Sequence, residues 1–491
     1  MSELLLLIAL FLAGVGFFRL FACASLPVFT AAAAFPLGLI IWVGCYLFIY
    51  FLPLPPADPL PFNVTLTWQC FVLCALLLGG SSLYRARLTR RELIVYSLAV
   101  AMLALVERMM AHVPVKLALN PDSYTFLDIT KPIGYSWKLL RAIFMTCLQA
   151  TGLLVHYDLM QTLVIQCTAV SVSVLIGYVV FEEIRQSVPS ASAREKCWIV
   201  GMSCLPILVL FCSPMGLLML LYVNHHLLAA TFIFLFAASW WLVRQTHNPL
   251  LLYPGILALM AFTLTRIEGL LFASALLPIF LSDPAIPAHH QRNASMLVLG
   301  GLLPWQLYVM WSLGDGRRVV TADQQLIIGA FFIAVMLSFQ LNRWKLGRRM
   351  IRTLPWLLPL AGFGGFVVFT WLKPEHMLTT LYHVSMNLLI DRHGGWGTVW
   401  YWLIMATPVL LGVKRSPRAR RCDRLGAASL TLVLLGLNLI FFRGATRLGM
   451  FDSANRMIVH VLPLLLVWVV IQMGHLGVSS PHAKAIAGAP E

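Results

Sequence analysis

Four apolar runs, at 32–52, 160–181, 425–442 and 457–474, pass without one Asp, Glu, Lys or Arg. A helix rises 1.5 Å per residue, so a run of about 20 residues crosses a hydrocarbon core of ~30 Å. Backbone N–H and C=O groups in lipid must be satisfied inside the chain, which leaves helices or closed barrels. The alternating pattern of a barrel strand is absent, so helices remain. Composition points the same way. The chain is 60% hydrophobic and 11% charged, whereas a soluble domain carries roughly 25% charged residues. The expected fold is all-α, a polytopic transmembrane helical bundle.

The net charge of +16 sits in short connectors. Arg85, Arg87, Arg90 and Arg91 form one cluster, and Arg343, Lys345, Arg348, Arg349 and Arg352 a second. The third is Lys414, Arg415, Arg418, Arg420, Arg421 and Arg424. Short loops rich in Lys and Arg stay in the cytoplasm. With these three inside, alternation predicts about fifteen spans. They fall near 4–22, 31–52, 67–84, 93–108, 160–181, 198–212, 218–242, 250–265, 267–282, 295–312, 322–340, 355–372, 397–413, 425–441 and 457–474. Nearly all the excess charge then lies inside and the outer side is close to neutral. The basic excess is a topology signal, and no nucleic-acid partner is expected. The first apolar run has no basic segment before it, since Arg19 follows it, and is expected to remain as an uncleaved span. The cysteines form no C-x-x-C pair and read as small packing residues.

Phosphate-binding glycine loops are missing, which turns attention to the outer segments. The largest, 109–159, contains NPDSYTFLDITKPIGYSW, with Asp122 and Asp128 between Pro121 and Pro132. A carboxylate beside the bilayer can take a proton from a hydroxyl at the lipid surface. Asp122 followed by Ser123 is equally a helix N-cap signal. The 137–150 segment has helical periodicity, with Lys138 and Arg141 on one face and Leu139, Leu140, Ile143 and Phe144 on another. It is expected to lie flat in the membrane interface. Arg266 and Glu268 stand between two apolar stretches, as a buried dyad or as a simple turn with snorkelling side chains. The segment 373–396 carries Lys373, Glu375, His376, His383, Asp391, Arg392 and His393. The segment 442–456 carries Arg443, Arg447, Asp452 and Arg456, the last expected to open the final span. Guanidinium forks suit phosphate oxygens. His225 and His226 are adjacent, point about 100° apart on a helix and read as packing residues.

These segments resemble those of the GT-C superfamily of glycosyltransferases. The likeness rests on Pro121-Asp122-Ser123 with Tyr124, Leu127 and Asp128, and on Lys131-Pro132-Ile133-Gly134-Tyr135. It rests also on Thr265-Arg266-Ile267-Glu268-Gly269, and on Asn455-Arg456-Met457 before Leu462-Pro463. The resemblance covers 93–475. Residues 1–92 are extra N-terminal transmembrane helices without a family-derived role, and 476–491 form a cytoplasmic tail. It implies a bacterial inner-membrane enzyme, active on the periplasmic side. A sugar would pass from a polyprenyl-phosphate carrier to a hydroxyl of a cell-surface glycan, lipid or protein, in one inverting displacement. Asp122, with Asp128, would serve as catalytic acid–base group. Arg456, Arg447, Arg443 and Arg266 would hold the donor phosphate, with Glu268, Tyr124, Lys131 and Tyr135 supporting the site. No cofactor is assigned. The loop has no adjacent pair of acidic residues, and a divalent metal is compatible with its two aspartates without being required. Two other classes share the sequence features: an O-antigen-type polymerase, and a transporter or flippase of lipid-linked or anionic solutes.

The charge asymmetry places the 109–159 loop opposite the 414–424 connector. A cysteine at Ser123 is expected to react with an impermeant maleimide on intact cells, and one at Ser416 only after permeabilisation. Equal reaction at both positions overturns this sidedness.

Overall fold

The computed structural model describes residues 2–22, 26–52, 64–112, 143–155, 160–188, 192–222, 225–266, 268–313, 322–412, 420–443 and 446–478. Among these residues the regular elements are helices, with no β-strand. Eight helices are long and apolar enough to cross a membrane: Pro27–Phe51, Val64–Arg85, Arg90–His112, Met160–Arg185, His226–Thr246, Leu326–Arg343, Lys345–Leu372 and Asp423–Phe441. A ninth crossing results if Ala193–Phe211 and Pro214–Leu221, bent by 71° at their junction, act as one. The chain is a multi-pass helical membrane protein.

The expected fifteen spans are therefore too many. Five of the apolar segments form helices of only 13–17 residues: Glu3–Arg19, Leu252–Thr265, Gly269–Leu281, Val399–Gly412 and Leu462–Val478. At 1.5 Å per residue they extend ~20–26 Å, short of the ~30 Å core. A sixth, Ala288–Leu313, is not among the eight. Apolar character was read correctly, whereas crossing length was overestimated.

The described residues divide into two compact units, Met1–Leu175 with Leu218–Leu354, and Ile176–Leu217 with Pro355–Glu491. In the first, Glu3–Arg19 and Pro27–Phe51 approach closely because small residues meet where they cross. A Cβ on Gly38 would lie 1.8 Å from the Leu10 carbonyl oxygen, and one on Gly14 would lie 1.8 Å from that of Ala34. Small residues at such crossings let packing and dispersion drive association in lipid. The indole N–H of Trp42 donates to the Cys147 carbonyl at 3.2 Å, tying in the Ile143–Val155 helix. Ile143, Phe144, Met145, Cys147 and Leu148 on that helix are fully buried. Burial at consecutive positions belongs to a core helix, so this described part of the expected interfacial helix is enclosed by protein.

Connectors assigned to the basic side gather at one end of the first unit. Arg19 donates to the Ala86 carbonyl at 2.9 Å and pairs with Glu92 at 3.5 Å. The Asn248 amide donates to the Phe21 carbonyl at 2.9 Å. Arg244 pairs with Asp283 at 3.4 Å, and Trp240 donates to the same carboxylate at 3.1 Å. Tyr253 Oη lies 3.1 Å from His290 Nδ1, and Asn342 donates to Gln291 Oε1 at 2.5 Å. The polar groups at this end satisfy one another.

In the second unit, Leu462–Val478 packs against Ala193–Phe211 and Asp423–Arg443. Near its end His475 Nδ1 lies 3.1 Å from Ser187 Oγ, and His475 Nε2 lies 3.9 Å from the buried Glu183 carboxylate. Along Lys345–Leu372, Trp356, Leu357, Leu360, Phe363, Val367, Val368 and Trp371 are all exposed. An apolar surface of this length marks a lipid-facing helix.

The Gly38 crossing sets up a direct comparison. Gly38→Leu is expected to destabilise the protein by about 1–3 kcal/mol through overpacking, lowering the unfolding temperature in detergent. Gly44→Leu, six residues on, meets open space within 4 Å and is expected to leave it unchanged.

Candidate functional site

Two polar constellations stand out, one in each unit. In the first unit, Leu252–Thr265 and Gly269–Leu281 are joined by a turn closed by the Gly269 amide donating to the Arg266 carbonyl at 3.0 Å. Glycine at 269 permits the tight reversal, because a Cβ there would lie 2.7 Å from Thr263 Cα. Arg266 Nε and Glu268 Oε2 are 3.2 Å apart, with 3% and 4% of their side chains exposed. This is the dyad form of the two readings, not a pair of snorkelling side chains.

Leu252–Thr265 runs from the end where Tyr253 meets His290 to this turn. A buried ion pair in a lipid-solvated chain is costly unless protein encloses it, and it is a functional-site hypothesis by default. Beside it lies a small cavity of about 10 Å³ lined by Thr263, Arg266, Leu270, Leu302, Trp305, Gln306 and Val309. That is about the volume needed for one water. It is too small for a sugar, and Arg266 is its charged wall.

In the second unit the structure joins 373–396 and 442–456, two segments that the sequence left separate. His376, Thr380, His383 and Asn387 follow a three- and four-residue spacing and form one stripe along Pro374–Leu389. His376 Nε2 lies 3.0 Å from the Phe441 carbonyl oxygen, and His383 Nδ1 lies 2.9 Å from Thr446 Oγ1. Asn387 donates to the Arg447 carbonyl at 2.9 Å and accepts from the Gly449 amide at 2.9 Å. His376 thus meets backbone and His383 a hydroxyl of the facing segment.

The next layer is centred on Asn455. Its Oδ1 accepts from the Trp396 indole, and its Nδ2 donates to the carbonyls of Gly394 at 3.0 Å and Met450 at 3.3 Å. The Asp452 carboxylate accepts from the Arg447 amide at 2.9 Å, and Asp452 is buried. Arg456 lies on a separate short helix, Ser453–Ile458, not at the start of the last apolar helix as expected. It is buried, and its Nε donates to the Asp452 carbonyl at 3.4 Å. Arg447 is exposed. The network thus shapes a loop that holds one arginine inside and presents another outward. No family model, curated protein or solved structure matches the chain.

Asp122, Tyr124, Asp128, Lys131 and Tyr135 lie outside the described residues. Arg443 ends the Asp423–Arg443 helix. Of the expected site, the structure therefore places Arg266 with Glu268, and Arg447 with Arg456. His225 and His226 are buried, with ring centres 4.5 Å apart, and His226 stacks on Tyr222 at 6.4 Å. Sequence reading missed Asn387 and Trp396. The 376–387 stripe was detectable from its spacing, whereas the Trp396 bond to Asn455 joins segments with no periodic relation.

Removing one partner of the dyad leaves an uncompensated buried charge. Arg266→Met and Glu268→Leu are each expected to cost about 3–5 kcal/mol. The double variant is expected to recover most of that loss, as measured by thermal unfolding in detergent. Additive losses in the double variant overturn this coupling.

Proposed function

We propose that this chain is a membrane glycosyltransferase that moves a sugar from a polyprenyl-phosphate carrier to a hydroxyl acceptor. The single observation that carries the reading is the T-R-I-E-G segment. Its arginine and glutamate, singled out on sequence, form a protein-enclosed ion pair at a helix reversal. Such pairs in a lipid-solvated chain mark pathways or sites. In the second unit, the hydrogen-bonded loop carrying Arg447 and Arg456 holds cationic groups suited to a lipid phosphate.

In this reading the acceptor oxygen attacks the anomeric carbon while the bond from that carbon to the phosphate oxygen breaks. Asp122 takes the hydroxyl proton. The leaving polyprenyl phosphate keeps the bonding electrons, and arginines stabilise its developing charge. One displacement inverts the anomeric centre. The donor's tail stays in the bilayer, so the site opens laterally toward lipid, on the side opposite the basic connectors.

A transporter of lipid-linked or anionic solutes has one observation in its favour. The 71° bend between Ala193–Phe211 and Pro214–Leu221 is the kind of broken helix that lines transport sites. The two readings separate in proteoliposomes loaded with a panel of radiolabelled polyprenyl-phosphate hexoses and scored for free polyprenyl phosphate. Wild-type protein is expected to release it in the presence of a crude envelope acceptor fraction. Asp122→Asn is expected to lower that release by about 10²–10⁴-fold, the usual contribution of a general base, with normal accumulation of the protein. Arg447→Lys is expected to weaken donor binding instead. If Asp128→Asn alone abolishes transfer, the base is the other aspartate of the same loop. Full transfer by both aspartate variants would falsify the mechanism, and protein-dependent lipid flipping without sugar transfer favours the transporter.

A further inference from the structure

Three cysteines that the sequence shows as scattered meet in the first unit. Cys70 and Cys74 lie four residues apart on Val64–Arg85 and so share one face. Cys45 reaches them from Pro27–Phe51. The three sulfurs all lie within 4.8 Å of one another, and Cys45 Sγ is 3.9 Å from Cys74 Sγ. Cys45 is buried, while Cys70 and Cys74 are half-buried.

We propose that Cys45, Cys70 and Cys74 form a trigonal thiolate site for one soft monovalent metal ion, with Cu⁺ as its natural occupant. Geometry and softness both lead there. Metal–sulfur bonds of ~2.3 Å in a trigonal plane place the sulfurs ~4 Å apart, close to the 3.9 Å already present. Thiolate ligands select Cu⁺, Zn²⁺ and iron–sulfur clusters over hard cations. Structural Zn²⁺ takes four ligands, and among the described residues no His, Asp or Glu joins these three. On binding, Cu⁺ displaces the thiol protons to solvent and is held by the thiolates. No electron is transferred. The bound ion would cross-link the two helices that close the N-terminal part of this unit.

The test uses the full-length protein in detergent, stripped of metal and kept anaerobic and reduced, titrated with Cu⁺ against the chromophoric chelator bicinchoninate. Wild-type protein is expected to retain one Cu⁺ per chain with three sulfur neighbours by X-ray absorption, and to unfold at a higher temperature when loaded. Cys45→Ala and Cys74→Ala are each expected to abolish stoichiometric retention. Cys204→Ala, which removes an exposed thiol of the Ala193–Phe211 helix, is expected to keep it. Where a variant fails to accumulate, the wild-type stoichiometry and sulfur count decide alone. Wild-type protein stripped fully by the chelator overturns the proposal. So does a metal bound without three sulfurs, or protein isolated with two of these cysteines joined in a disulfide.

Discussion

A chain that uses lipid as its solvent cannot hand a charge to water, so each ionised side chain within it must find its compensation in the protein. That constraint organises the molecule. Arg19 meets Glu92, Arg244 meets Asp283, Arg266 meets Glu268, and His475 approaches Glu183. Buried pairs of this kind contribute little net stability, because desolvation offsets most of the attraction. Their effect is on geometry: losing either member is costly, so the helices that bear them are held in one arrangement.

The same logic separates supporting groups from groups that act. In the second unit, Asn387, Asp452 and Asn455 spend their hydrogen bonds on backbone around residues 394 and 447–456. They shape a loop and have little left for a ligand. Arg447 remains exposed beside them. In the first unit the Arg266–Glu268 turn is enclosed beside a space no larger than a water. The first constellation is a buried charged turn and the second presents an exposed cation, and each lies at a break between helices. Irregular backbone is tolerated at membrane depth only where protein or a water-filled cavity surrounds it.

Helix identity was legible in the sequence because hydrophobic runs report what solvates them. Crossing number was not, because apolar character does not reveal whether Leu252–Thr265 or Val399–Gly412 stops short of a full span. Tight reversals such as that at Gly269 allow two apolar runs to pair as a short hairpin, which a hydropathy profile reads as two crossings. Several connectors that charge and alternation assign to one side hydrogen-bond together at one end of the first unit, and the 414–424 cluster belongs to the other unit. The 137–150 segment shows the limit in the other direction, since amphipathic spacing did not reveal that its described part, within Ile143–Val155, would be buried. Cys45 and Cys74 were invisible as a pair because helix–helix register, not sequence distance, brings them together.

The division into two units has a consequence for how the protein is made. Each unit is interrupted by the other: Ile176–Leu217 belongs with a segment that begins only at Pro355. Roughly 140 residues are synthesised in between, which at ~5–20 residues per second takes on the order of ten seconds. His475, which closes over Glu183 and Ser187, lies 288 residues beyond that serine. Glu183 and Ser187 therefore leave the ribosome long before the histidine that packs on them exists. Assembly of this unit is thus timed by translation, and a chain truncated before His475 would lack the contact that joins these two segments.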